Sequence, residues 1–288
     1  MKPLGRTAMR ISRILGANAL AIAGVLSVST SAQAASGPWV QVSAGGSHTC
    51  AISVSSSLYC WGRNSFGQIG DGTINTPRLS PYRVGAAGVW NSITAGETHT
   101  CGITTAKNLY CWGHNADGQV GDGTINTPRL SLYRVGAAGV WTTITAGGGH
   151  TCGITRAKNL YCWGFNTEGQ IGDGSTDSPR LSLYRVGAAG VWNSIAAGGG
   201  HTCGITTAKN LYCWGYNATG QSGDGSVNSP RLSLYRVGAA GIWSNATVGG
   251  SHSCGVTTAE ELFCWGANVN GQVGDGTTNT HVSPYRVD

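Results

Sequence analysis

The chain has 288 residues, of which 47 are Gly, 10 are Cys and 10 are Trp, and only 10% carry charged side chains. So much Gly without a collagen repeat predicts many tight turns and argues against long helices, while a hydrophobic content of 40% excludes wholesale disorder. Four of the 18 Lys and Arg lie before position 35, so 14 remain in the rest of the chain against 12 Asp and Glu. The formal charge of residues 35–288 is therefore +2, compared with +6 for the whole chain. So small a positive charge gives no support to nucleic-acid binding.

The N-terminal segment, residues 1–34, has the pattern of a secretory signal peptide. Its apolar stretch runs from Ile14 to Val28, and Ala32-Gln33-Ala34 offers a small-residue cleavage site. The positive region before that stretch comprises Lys2, Arg6, Arg10 and Arg13. We therefore expect an exported protein (secreted, periplasmic or at the cell surface), with no membrane span after cleavage because no other long apolar run exists.

The remaining chain, residues 35–288, consists of five near-identical repeats of 51 residues. Trp39, His48, Cys50, Cys60 and Trp61 each recur at that interval, and these series account for all the Cys and Trp. The repeats cover approximately residues 37–87, 88–138, 139–189, 190–240 and 241–288.

Each repeat has the periodicity of short strands rather than of helices. In the first repeat, strands are predicted at Trp39–Ala44, His48–Ser53, Leu58–Trp61 and Pro81–Val84. A hairpin turn separates the second strand from the third, and a Gly-rich loop follows the third. Four short antiparallel strands per repeat predict an all-β fold, a β-propeller of five blades. Because the terminal repeats lack atypical polar caps, a closed ring is favoured over a solenoid.

One sequence string recurs in every repeat and resembles that of a known family. Leu58-Tyr59-Cys60-Trp61-Gly62-x-Asn64-x-x-Gly67-Gln68-x-Gly70-Asp71-Gly72 resembles the regulator of chromosome condensation repeat. The resemblance implies a propeller of four-stranded blades. The best-known members have seven blades, so either five blades close here or another chain completes an open arc. That family includes a nuclear exchange factor for a GTPase and a secreted bacterial inhibitor of β-lactamases. The export signal disfavours the exchange activity for this chain.

The ten Cys are predicted to form one disulfide within each blade. Cys50 and Cys60 lie symmetrically about the turn at residues 54–56, so antiparallel strands place them opposite each other. The predicted pairs are Cys50–Cys60, Cys101–Cys111, Cys152–Cys162, Cys203–Cys213 and Cys254–Cys264. With His48 they offer three soft ligands per repeat, but structural zinc needs four, so neither a metal nor another cofactor is expected.

The repeated His48 is predicted to have a structural role, because catalysis needs one asymmetric constellation of groups and this residue recurs identically in every repeat. We therefore expect no catalytic residues and no enzymatic activity. Asp71 and its equivalents are expected to cap turns by accepting bonds from nearby backbone amides.

The positions that differ between repeats are the candidates for binding a partner. Equivalent positions of a propeller lie in a ring on one face, and variable loops on a rigid scaffold commonly form binding sites. The predicted binding residues are Arg63, Phe66, His114, Asp117, Phe165, Glu168, Tyr216 and Ala267. Neutral drift at exposed positions is the alternative explanation.

The sequence as a whole predicts an exported binding module whose partner is an unknown protein or a component of the cell envelope. Inhibition of an extracytoplasmic enzyme such as a β-lactamase is the alternative. GTPase-regulator-like exchange and carbohydrate processing are less favoured. An open ring would in addition leave two ends free for self-association.

Overall fold

A computed structural model describes residues 38–75 and 77–288 of the chain. The predicted signal peptide lies outside these described residues. The regular elements of the described part are twenty strands in five antiparallel sheets of four strands each, which confirms the predicted all-β class and the propeller blades. In each sheet the strands follow chain order.

The five blades have matching strand boundaries. Blade 1 contains β1 (Trp39–Ala44), β2 (His48–Ser53), β3 (Leu58–Gly62) and β4 (Arg78–Val84). Blade 2 contains β5 (Trp90–Ala95), β6 (His99–Thr104), β7 (Leu109–Gly113) and β8 (Arg129–Val135). Blade 3 contains β9 (Trp141–Ala146), β10 (His150–Thr155), β11 (Leu160–Gly164) and β12 (Arg180–Val186). Blade 4 contains β13 (Trp192–Ala197), β14 (His201–Thr206), β15 (Leu211–Gly215) and β16 (Arg231–Val237). Blade 5 contains β17 (Trp243–Val248), β18 (His252–Thr257), β19 (Leu262–Gly266) and β20 (His281–Arg286).

The fourth strand is longer than the sequence indicates, because it starts at Arg78 rather than at Pro81. A register irregularity after Cys60 brings Gly62 opposite Arg78 and so extends the pairing of β3 with β4. Gly62 has a φ of +106°, a backbone conformation that residues other than Gly rarely adopt. The extra strand length therefore depends on this glycine.

The hydrophobic core is divided among the junctions between successive blades. At the first junction, Leu58, Ile69 and Val84 of blade 1 pack in one buried cluster with Trp90 and Trp112 of blade 2. Equivalent clusters occupy the three following junctions. A blade therefore buries its apolar residues against its neighbours rather than within itself.

A buried hydrogen-bond network crosses each of these junctions. The Thr100 hydroxyl donates to the Gln68 carbonyl at 2.7 Å and lies 2.8 Å from His48 Nε2. Because the Thr100 proton is used, His48 Nε2 must carry the proton and donate it. Trp112 Nε1 donates to the same Gln68 carbonyl at 3.0 Å. The network recurs at the other three junctions, where the donors to the next blade are His99, His150 and His201.

The described residues form an open arc with four packed junctions, whereas the sequence favours a closed ring. Leu262 of blade 5 is 39% exposed, while its equivalent Leu58 is fully buried at 0%. Trp39 of blade 1 is 41% exposed, against 2% for Trp90. Blade 1 also has Ala51 where blade 2 has Gly102. A Cβ atom on Gly102 would lie only 2.7 Å from the Trp90 ring, so the Cβ of Ala51 contributes to the different placement of Trp39.

The five predicted disulfides are confirmed. Each joins directly opposed residues of the second and third strands of a blade, with Cα atoms 4.1 Å apart. In blade 3 the bond between Cys152 and Cys162 is fully buried. Such bonds are typical of oxidising compartments outside the cytoplasm.

Replacing Cys152 and Cys162 together by Ala should lower the free energy of unfolding by about 2.5–3 kcal/mol, because the disulfide restricts a short loop in the unfolded chain. Urea unfolding of the oxidised variant and the unchanged protein measures this difference. Under full reduction the two proteins should have similar stability, and an equal stability of both under oxidising conditions would contradict the prediction.

The buried histidines should make the fold sensitive to mild acid. Burial lowers the pKa of His150 from 6.5 to about 4, and burial together with the neighbouring His48, His150 and His114 lowers the pKa of His99 to about 3. Between pH 6.5 and about 4 the unfolded chain therefore binds protons that the folded chain does not, and the free energy of unfolding should fall as the pH is lowered.

The matched variant is His150→Gln, whose amide can still donate to Thr202 but does not titrate. Urea midpoints measured from pH 7 to pH 5 should fall less steeply for this variant than for the unchanged protein. Parallel slopes would show that His150 does not contribute to the acid sensitivity.

Candidate functional site at the upper edges of the blades

One edge of every blade carries the positions that vary between repeats. We call it the upper edge: it consists of the turn between the first and second strands and the loop between the third and fourth strands. In blade 1 the described residues of this edge are 45–47, 63–75 and 77. The backbone N–H of Arg63 donates to the Ser47 carbonyl at 2.9 Å, so turn and loop are joined. The same bond links His114 to Thr98, and Phe165 to Gly149.

The loop of each upper edge is held by buried side chains that recur in every repeat. Asn64 is fully buried, accepts from Ile69 N at 3.0 Å and donates to Asp71 at 2.9 Å. Gln68 Oε1 accepts from the backbone N–H of Phe66 at 2.9 Å. Variable side chains are therefore presented from a backbone that invariant polar side chains fix in place.

Asp71 caps the turn as predicted, because its Oδ1 accepts from Thr73 N at 2.9 Å. Its other oxygen forms an ion pair with Arg78, whose guanidinium also lies over the Tyr82 ring. Burial raises the pKa of the Asp71 carboxyl, but hydrogen bonds from Thr73, Asn64 and Arg78 outweigh that effect and leave it below its ordinary value. Asp71 and Arg78 therefore support the loop, and their charges are paired with each other.

The predicted binding residues meet in pairs across the junctions. The Phe66 ring of blade 1 lies 4.6 Å from the His114 ring of blade 2, centroid to centroid. Arg63 lies over Phe66 at 5.4 Å and extends this group at the first junction. His114 Nδ1 accepts from Gln119 Nε2 at 2.9 Å, which orients its ring.

At each of the next two junctions, an acidic and an aromatic residue of neighbouring blades flank the same glycine. A Cβ atom added to Gly149 would lie 3.4 Å from Asp117 Oδ2 and 3.0 Å from Phe165 Cβ. A Cβ added to Gly200 would likewise lie 3.7 Å from Glu168 Cγ and 3.3 Å from Tyr216 Cβ. All four side chains are half-buried.

Ala267, the last of the predicted binding residues, is only 7% exposed and presents almost no surface. Glu97, in contrast, was not predicted: its Oε2 lies 3.5 Å from where a Cβ of Gly148 would be, which brings it to the same region as Asp117. The signal was present in the sequence, because Glu97 replaces the Gly found at positions 46, 148, 199 and 250. Glu97 lies in the turn between the first and second strands, whereas the predicted binding residues all follow the third strand.

Charge is distributed unevenly between the two edges. The carboxylates of Glu97, Asp117 and Glu168 lie on the upper edges and form no ion pair within the described part of the chain. Basic side chains without an ion pair in residues 38–75 and 77–288 concentrate on the hairpin turns and outer strands at the opposite, lower edges: Arg83, Lys107, Arg134, Arg156, Lys158, Arg185, Lys209 and Arg236. The surface formed by the upper edges of the five blades, which we call the upper face, is therefore the acidic one.

The lower edges carry apolar pockets at three junctions, with volumes of about 320, 470 and 380 Å³ in chain order. Trp141, Tyr161 and Leu183 line the second of them. Since the three pockets have almost the same lining, they provide no asymmetric site. Within the described residues, no His, Cys, Asp and Glu side chains come together in threes to hold a metal, and no helix is long and apolar enough to span a membrane.

Comparison with known proteins places this chain among propellers of one family. The sequence profile of the RCC1-like domain matches residues 15–288. The ultraviolet-B receptor UVR8 of Arabidopsis thaliana is 32% identical over 244 residues, which cover 82% of this chain and 54% of the receptor. The mitochondrial RCC1 domain-containing protein RUG3 of the same plant is 28% identical over 268 residues, covering 86% of this chain and 58% of that protein. The chain thus spans little more than half the length of these relatives.

Solved structures agree on the fold. Human WBSCR16 matches with a TM-score of 0.78 at 24% identity, over 87% of this chain and 67% of that one. Prp20p from Saccharomyces cerevisiae matches with a TM-score of 0.71 at 18% identity, over 87% of this chain and 63% of that one. With the profile match over nearly the whole sequence, the chain belongs to the RCC1-like domain family.

Proposed function

We propose that this chain is an exported, non-enzymatic binding module whose upper face holds a macromolecular partner with a basic surface. The observation that carries the proposal is that a variable acidic and a variable aromatic residue of neighbouring blades flank one glycine at two successive junctions, Asp117 with Phe165 and Glu168 with Tyr216. Such side chains on a rigid backbone supply large contact areas at little entropic cost.

The charge of the upper face supports the choice of partner. Glu97, Asp117 and Glu168 are carboxylates without a basic partner in the described chain, and Arg63 at the first junction is already in contact with Phe66. Complementary charge accelerates association and selects among partners. A Lys- or Arg-rich protein segment, free or anchored in the cell envelope, has the matching chemistry.

Export and the absence of enzymatic activity rest on separate support. Five buried or nearly buried disulfides fit an oxidising compartment, in agreement with the signal-peptide pattern of residues 1–34. The relative UVR8 is named a receptor, which is a binding role. The repeated His48, His99, His150 and His201 are used in the junction network.

Replacing Phe165 and Tyr216 together by Ala should weaken partner binding at least tenfold, because these rings form the apolar part of the contact. The partner is captured from the cell envelope or culture fluid with the oxidised chain, identified, purified and titrated by calorimetry. Lys158→Ala with Lys209→Ala at the lower edges is the matched control and should bind normally. If the lower-edge variant loses binding and the upper-edge variant keeps it, the proposed face is wrong.

The charge of the partner can be tested with synthetic peptides before any partner is known. A peptide of alternating Lys and Ser should bind the oxidised chain at the upper edges, whereas one of alternating Glu and Ser can bind only at the basic lower edges. Glu97→Gln, Asp117→Asn and Glu168→Gln combined should weaken the Lys-peptide binding several-fold, flatten its dependence on salt and leave the Glu-peptide binding unweakened. Unchanged binding of the Lys peptide to the combined variant, or an unchanged salt dependence, would contradict the proposal of a basic partner.

A further inference from the structure

The two ends of the arc carry opposite halves of the interface that joins its blades. We call the side of a blade that packs on the preceding blade its leading face, and the side that receives the next blade its trailing face. Four leading faces and four trailing faces are paired within the described residues. In residues 38–75 and 77–288, no other blade packs on the leading face of blade 1 or on the trailing face of blade 5.

The leading face of blade 1 exposes residues whose equivalents are covered. Leu79 is 88% exposed, whereas its equivalent Leu130 packs against Gly67 of the preceding blade. Trp61 and Thr49 correspond to Trp112 and Thr100, which donate to the Gln68 carbonyl. No such acceptor faces Trp61 and Thr49 in residues 38–75 or 77–288.

The trailing face of blade 5 lacks the matching partners. Gly271 corresponds to Gly67, but a Cβ added there would meet only the Thr277 carbonyl, at 3.9 Å, instead of a leucine. His252 and the Gln272 carbonyl are equivalent to the groups that cross each internal junction, and in the described chain no Thr hydroxyl or Trp indole reaches them. Leu262 adds exposed apolar surface, at 39%.

We propose that a second copy of this chain covers these faces, with blade 1 of one copy docked on blade 5 of the other. Leu79 would then pack on Gly271 of the partner copy, as Leu130 packs on Gly67 within the chain. Trp61 Nε1 and the Thr49 hydroxyl would donate to the Gln272 carbonyl, and His252 Nε2 to Thr49. Four internal junctions show that this set of groups is complementary in shape and hydrogen bonding.

The driving force is the removal of exposed apolar side chains from water. The contact is heterologous, because it uses different surfaces on the two copies. A joined pair keeps one free leading face and one free trailing face, so further copies can add in the same way. We therefore expect assemblies of two or more copies whose size grows with protein concentration.

The test uses two variants of the full chain, Leu79→Glu at the leading face and Leu262→Glu at the trailing face. Light scattering and sedimentation over a wide concentration range should show dimers and larger assemblies of the unchanged protein. Each variant alone should be monomeric, since every joint needs one intact face of each kind. An equimolar mixture should form a one-to-one dimer, because Leu79→Glu keeps its trailing face and Leu262→Glu keeps its leading face.

The control is Ile125→Glu, which changes a side chain of the blade 2 loop that is 55% exposed and lies away from both faces. This variant should assemble as the unchanged protein does. Circular dichroism of all variants shows whether the blades stay folded. A monomeric unchanged protein at every concentration would overturn the proposal. Dimers of either single variant would overturn it as well, because they would indicate a symmetric contact between like faces.

Discussion

The structure depends on the inability of a single blade to bury its own core. Trp90 and Trp112 of blade 2 become buried only against Leu58 and Val84 of blade 1, and the Gln68 carbonyl is satisfied only by donors from the next blade. Packing and hydrogen bonding are thus placed together at each junction, where water is excluded and an unpaired polar group would be costly. Loss of one junction removes both contributions, so the blades stabilise one another as nearest neighbours.

This dependence separates the residues of a repeat into two sets. Those that form the junction or hold the loop, such as His48, Asn64 and Gln68, recur because every blade meets its neighbour in the same way. Side chains that point out of the held loop are free to differ. Variation at the upper edge therefore changes the chemistry of the exposed surface without changing the fold.

Near-identity of the repeats creates a difficulty in folding, because one blade could pair with the wrong neighbour. The disulfide of each blade joins residues ten apart in the sequence, so it forms within one hairpin and fixes that hairpin independently of its neighbours. The network that then selects a neighbour is the same at each junction and cannot tell the blades apart. Order along the arc must come from chain connectivity, which keeps successive blades adjacent.

The amino-acid sequence is sufficient to predict the five repeats, the strands, the disulfide pairs and the blade architecture, since periodicity, alternation and Cys spacing are local properties. It also indicates which loop positions vary between repeats. It does not show that Glu97 lies near Asp117, beside Gly148 and Gly149, or that Ala267 is buried. The sequence also does not reveal the uncovered faces of blades 1 and 5, because near-identical terminal repeats are what a closed ring would have. These points follow from the folded structure, because packing between distant residues determines which side chains a neighbouring blade covers.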